Sequence, residues 1–155
     1  MSVVTRDASE ERNRKPGPRT RGRELALKYL FAVDLSGPDV VEDFDTVAQT
    51  QQERGEAVVF ARRLVEGTLK HKSEIDALLR RHAANWALDR MAVVDRNILR
   101  LACYEFLHEE GIPTKVTINE AVELAKRFST AQSGAFVNGI LDQIRKGLNL
   151  SGKGE

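Results

Sequence analysis

Apolar residues recur every three or four positions along most of the chain, and no stretch shows strand-like alternation. From Arg19, Leu27, Leu30, Phe31 and Leu35 line one helical face until Ser36-Gly37-Pro38-Asp39 stops it. A short helix is predicted from about Val40 to Gln51, with Val40, Phe44, Val47 and Ala48 inward, broken by Arg54-Gly55. A longer helical stretch covers Glu56 to about Ala84, with Phe60, Leu64, Leu69, Leu78 and Leu79 on its apolar side; a Ser73/Asp76 cap would divide it in two.

Trp86 and Leu88 fall in a short connection, and Asp89 is placed to cap a helix over about Arg90 to His108. Met91, Val94, Ile98 and Leu101 mark its inner face, and Glu109-Glu110-Gly111-Ile112-Pro113 ends it. Thr117-Ile118-Asn119-Glu120 has the form of a capping box, with Val116 and Ala121 at the staple positions. The helix it opens carries Ala121, Leu124, Ala125 and Phe128. Ser129 to Gly134 reads as a loop, and the last helix presents Val137, Ile140, Leu141, Ile144 and Leu148. The pattern predicts an all-α protein, a compact helical bundle of five to seven helices, with room for two small subdomains packed together. Residues 1–18 read as a flexible basic extension around Pro16-Gly17-Pro18, residues 19–148 as one helical domain, and 149–155 as a frayed tail.

The 155 residues, 41% hydrophobic and 30% charged, suit one folded domain and exclude a disordered chain. No apolar run approaches the roughly 20 residues that cross a bilayer, and Met1 to Lys15 lack the apolar core of a secretory signal. Cys103 is the single cysteine, so no intrachain disulfide forms, consistent with a reducing cytoplasm. A net charge of +1 names no partner, but its distribution is uneven. Six basic residues and no acid lie between Arg12 and Arg23, and seven acids against one base between Asp34 and Glu56. Such a basic opening can meet a polyanion despite near-neutral overall charge.

Motifs for bond chemistry are missing. There is no phosphate-binding Gly-rich loop, no dinucleotide fingerprint, no His-Glu-x-x-His and no Cys-x-x-Cys. His71, His82 and His108 are scattered without metal-site spacing, so neither metal nor cofactor is expected. Cys103 sits between Ala102 and Tyr104 in an apolar helix and reads as core. Glu109-Glu110 reads as a solvated helix end. The chain therefore reads as a binding protein, not an enzyme.

Arg19, Arg21 and Arg23 open the first helix, with Lys28 further along; Arg21 and Lys28 share one face, Arg19 and Arg23 another. Guanidinium groups grip phosphates bidentately, and free amides at the same helix start add positive potential. Such contacts give affinity and salt dependence without sequence choice. Single-stranded RNA is chosen by bases stacked on aromatics and bonded at their edges, for which Phe128, Ser133 and Phe136 stand near a loop. A solubilising tail and two core phenylalanines would leave the same pattern.

Three segments in order resemble the NusB transcription antitermination family. They are Val94-Asp95-Arg96-Asn97-Ile98-Leu99-Arg100-Leu101-Ala102-Cys103-Tyr104-Glu105, the run Pro113 to Lys126, and Ser133-Gly134-Ala135-Phe136-Val137-Asn138-Gly139-Ile140-Leu141-Asp142. Trp86-Ala87-Leu88-Asp89-Arg90 is similar to the family's tryptophan turn, and Arg19 to Phe31 to its arginine-rich first helix. The resemblance covers about Arg19 to Lys146. It implies about seven helices in two small bundles. It also implies binding of boxA RNA from ribosomal RNA operons together with NusE, a small-subunit ribosomal protein, and with other Nus factors on RNA polymerase.

By matching positions, Arg19, Arg21 and Arg23 take the phosphate role, with Lys28 on the same helix. Lys126, Phe128, Ser133 and Phe136 take RNA contacts, and Phe31 and Tyr104 the NusE-facing positions. Asp95, Arg96, Asn119 and Asn138 would fasten helices and loops, and Gly139 would allow close helix approach. Pro16, Gly17, Pro18 and Gly22 interrupt a basic run that is denser in many relatives. Some relatives self-associate through surfaces that overlap the RNA site, so a homodimer stays open. Two other readings are a protein-only helical scaffold and a stand-alone relative of the N-terminal domain of an rRNA cytosine methyltransferase.

Overall fold

The computed structural model describes residues 16–83, 85–150 and 153–154. Residues 1–15 of the expected extension lie outside them. Among the described residues there are seven α-helices, one 3-10 turn and no strand.

Helix α1, Pro18–Ser36, starts with a proline, whose missing N–H costs nothing at that position. It ends at Gly37, where φ of +88° suits glycine and its N–H closes back on Val33. Helix α2 is shorter than the pattern predicts, Phe44–Thr50, because Asp43 caps it by accepting from the Thr46 N–H. Val40 then lies outside the helix and is exposed, as is Leu35 at the end of α1. The long helical stretch is two helices, α3 (Glu56–Lys70) and α4 (Lys72–His82), divided at His71 instead of at a Ser73 cap.

Helix α5, Val93–His108, follows the 3-10 turn Leu88–Arg90. Asp89 belongs to that turn and does not cap α5, whose cap residue is Ala92. Helix α6 runs Thr114–Phe128 from Pro113, one turn earlier than the predicted capping box. Thr117 is therefore interior and fully buried, Val116 is exposed, and neither serves the helix start. Helix α7 spans Ala131–Gly147; Thr130 caps it by accepting from the Ser133 N–H, so the expected loop reduces to Ser129-Thr130.

Helix α1 packs along α3, α6 along α7, and α5 lies between these groups, touching both and α4. Their inner faces form one continuous apolar core, with Leu25, Leu64, Ile75, Leu79, Ile98, Leu99 and Leu141 fully enclosed. Two of the glycines lie where helices meet closely. A Cβ on Gly22 would lie 2.9 Å from the Ala57 carbonyl, and one on Gly67 would overlap the Tyr104 ring. Gly139, expected in that role, has open space instead and is exposed.

Polar groups buried on α5 tie the layers. Glu105 accepts both forks of Arg23, at 2.9 and 2.8 Å, and the Thr117 hydroxyl at 2.9 Å. Arg100 grips Asp76 on α4 bidentately and reaches Asp34 on α1 at 3.1 Å. Arg96 and Asn97 also donate to Asp34, at 2.8 and 2.9 Å. Buried polar groups must find such partners. Asn119 and Asn138, expected to do likewise, are exposed. The Lys153 ammonium donates to the carbonyls of Glu105 and Ile112 at 3.0 and 2.8 Å. No helix among the described residues is long and apolar enough to cross a membrane.

Candidate nucleic-acid interface

The basic residues of α1 have separate fates because a helix turns about 100° per residue. Arg19 is exposed, its guanidinium 5.0 Å over the Phe60 ring, and no carboxylate pairs with it among the described residues. Arg21 is half-buried, donating to Glu53 at 3.2 Å and to the Pro16 carbonyl. Arg23 corrects the sequence reading: at 3% exposure it is locked to Glu105 and offers nothing to a phosphate. Burial would lower its pKa, but the hydrogen bonds and charge of Glu105 outweigh that and leave it above its ordinary value. Lys28 is exposed and donates to the neutral Gln51 side chain at 2.9 Å, so its charge is not neutralised by that bond. The start of α1 carries no acid in its first turn and no side-chain cap, which leaves its positive end uncompensated.

Lys28 meets the end of α6. Its ammonium lies 5.8 Å from the centre of the half-buried Phe128 ring, and the Arg127 guanidinium 5.3 Å from it. Arg127 is 58% exposed and also pairs with Glu24. Lys126 is exposed, 3.7 Å from Glu123, and its stem rests over Gly134.

Beyond the Ser129-Thr130 corner, Ser133 corrects a second expectation. It is 8% exposed, and its hydroxyl donates to Asp95 at 3.0 Å while meeting Ser129 and Thr130. It fastens the corner to the start of α5. Phe136 is half-buried, with Trp86 edge-on at 5.2 Å and 74°. Trp86 is 59% exposed; with Phe136, Arg90, Met91 and Gln132 it lines a shallow cavity of about 310 Å³. The sequence reading left Trp86 out of the site. Its signal was the chain's single tryptophan, standing in the short connection Asn85-Trp86-Ala87-Leu88-Asp89-Arg90.

Of the two partner-facing candidates, Tyr104 is 6% exposed, wedged against Gly67, with its hydroxyl donating to Glu109 at 3.2 Å. It is a core residue, and burial followed by the Glu109 charge pushes its pKa up to about 12. Glu109 is accordingly no free helix end; it also accepts from Arg63 at 2.6 Å. Phe31 is half-buried on α1, one turn beyond Lys28. Cys103 is fully buried, and burial pushes its thiol well above its ordinary value. The histidines are not all scattered: His71 and His108 stack with ring centres 3.8 Å apart.

The chain thus presents exposed cations beside half-buried aromatics on a rigid helical frame. The NusB family model matches residues 20–146. The chain belongs to the NusB family. Among relatives, the Transcription antitermination protein NusB of Myxococcus xanthus is 45% identical over 137 residues, covering 86% of this chain and 98% of its own. A NusB structure from T. maritima is 44% identical, with a TM-score of 0.73, covering 85% of this chain and 93% of its own. A crystal structure of antitermination factors NusB and NusE in complex with dsRNA contains a chain 29% identical, with a TM-score of 0.75, covering 84% of this chain and 97% of its own. The family shares the all-helical fold described above, and the match takes in every helix from α1 to α7.

Proposed function

We propose that this chain is a transcription antitermination factor that binds boxA RNA of ribosomal RNA operons jointly with NusE. In this reading it holds the nascent transcript against the other Nus factors and RNA polymerase in the cytoplasm, and it performs no bond chemistry. Family membership supports it, as does the likeness to a chain solved with NusE and RNA. The observation that carries it is the pair of cation–aromatic clusters flanking the α6–α7 corner: Lys28 and Arg127 around Phe128, and Arg90 beside Trp86 and Phe136.

Each cluster combines the two things an RNA strand needs. Lys28, Lys126, Arg127 and Arg19 supply charge for phosphates. Arg127, backed by Phe128, offers a guanidinium plane on which a base can stack, and Phe136 with Trp86 offers aromatic surface. Arg23 and Ser133 support this surface from beneath and do not touch RNA. Phe31, beside Lys28 on α1, is the remaining candidate for NusE.

Filter binding with boxA RNA, with and without NusE, at two salt concentrations tests the reading. Lys28→Ala with Arg127→Ala is expected to weaken binding and flatten the salt slope by about 1.4, or roughly 0.7 per lost single-strand phosphate contact. Phe136→Ala is expected to lose about 1–3 kcal/mol of binding, the worth of one stacked base. Equal affinity of the wild-type chain with NusE for boxA and for a scrambled RNA would overturn the proposal.

A further inference from the structure

A second cluster is unrelated to the cationic surface. His71 lies at the junction of α3 and α4, Glu74 in the first turn of α4, and His108 at the last turn of α5. The fold brings these ends together, so that one ligand atom from each lies within 4.8 Å of the others. His108 Nε2 is 3.3 Å from one Glu74 oxygen, and His71 Nδ1 is 3.8 Å from the other. The two imidazoles stack with a 19° interplanar angle, and the Tyr104 ring lies behind His108 at 5.8 Å.

We propose that His71, Glu74 and His108 form a surface site for a transition-metal ion of the zinc class. Around a tetrahedral Zn2+ with bonds of about 2.0–2.2 Å, neighbouring ligand atoms lie roughly 3.3–3.6 Å apart. The two histidine contacts, made to different Glu74 oxygens, are 3.3 and 3.8 Å, the first within that range and the second just beyond it. His71 and Glu74 stand three apart across the first turn of α4, the spacing at which side chains on a helix meet. His108 comes from a different helix, so the rigid packing of α5 supplies the third ligand.

Two imidazoles and one carboxylate select zinc, nickel or copper over magnesium and calcium, which take oxygen ligands. Three protein ligands leave a fourth position to water, in keeping with a site whose Glu74 side chain is 53% exposed. Stacked rings do not aim both lone pairs at one point, so binding turns one imidazole. Both side chains are more than a quarter exposed, which leaves them that motion. A bound ion would clamp the end of α5 to the α3–α4 junction.

The test uses the full chain without a histidine tag, titrated with Zn2+ by calorimetry and by NMR of the imidazole protons. One ion per chain is expected, shifting the His71 and His108 signals and leaving His82 unmoved. Added Zn2+ should raise Tm, since a ligand of the folded state alone stabilises it. Glu74→Gln, at an exposed position, should keep the fold by circular dichroism. It should weaken binding by more than the roughly 10- to 100-fold that loss of an outer-shell partner costs. His71→Ala with His108→Ala should abolish both the uptake and the Tm rise. Failure of the wild-type chain to take up Zn2+, or equal uptake by the double variant, would overturn the assignment.

Discussion

Arg23→Ala separates a structural arginine from an RNA-binding one. The Arg23 and Glu105 side chains are 3% and 2% exposed, joined by bonds of 2.9 and 2.8 Å. Removing the guanidinium leaves the Glu105 carboxylate with the Thr117 hydroxyl as its one side-chain partner among the described residues. Stranding half of a buried ion pair costs about 3–5 kcal/mol. In a domain of this length each kcal/mol moves Tm by about 2–4 °C, so a fall of roughly 6–20 °C is expected. Urea denaturation followed by circular dichroism measures the loss. Filter binding below the new Tm should return a salt slope equal to that of the wild-type chain. Arg23→Met with Glu105→Leu should lose less than Arg23→Ala, because apolar replacement removes the desolvated charges together. A Tm within about 2 °C of wild type, with a slope lowered by about 0.7, would refute the reasoning and return Arg23 to the phosphate backbone.

Asp34→Asn probes acid stability. Burial would raise the Asp34 carboxyl, but hydrogen bonds from Arg96 and Asn97 and the Arg100 charge hold it below its ordinary 3.8. Its contribution is therefore full above that value and disappears as pH falls through the lower, folded one; the variant should be less stable near neutrality and lose less on acidification, as urea midpoints at several pH values would report. Gly67→Ala should destabilise by about 1–3 kcal/mol, because the new methyl overlaps the Tyr104 ring. Gly139→Ala, in open space within α7, should instead gain up to about 1 kcal/mol; opposite signs in thermal melts are the check.

Helix number and most inner faces were legible because periodicity and breakers act locally. Gly37 and Gly55 ended and opened helices where the sequence places them, both at positive φ. Where two local signals competed, the sequence could not rank them. Thr117 and Glu120 match a capping box, yet Pro113 starts α6 one turn earlier. Those two side chains then serve distant partners, Thr117 bonding Glu105 and Glu120 accepting from Thr20 at 2.8 Å. Trp86 and Phe136 were separate residues until packing of the 85–92 connection against α7 set them edge-on.

The candidate site was less legible for a related reason. Charge in a sequence gives a total for a helix, while function depends on which neighbour each turn meets. Along α1, Arg19 lies over Phe60, Arg21 pairs with Glu53, Arg23 enters the core to meet Glu105, and Lys28 reaches Phe128. One basic run therefore does two jobs. Arg23 ties α1 to α5 through Glu105, while Lys28 on the same helix meets Phe128 at the end of α6. Gly22, read in the sequence as an interruption of the basic run, is a position where α1 passes close to α3. A denser arginine run at that point would put a side chain against the Ala57 carbonyl and the Phe60 ring. The gap in charge is thus a packing requirement.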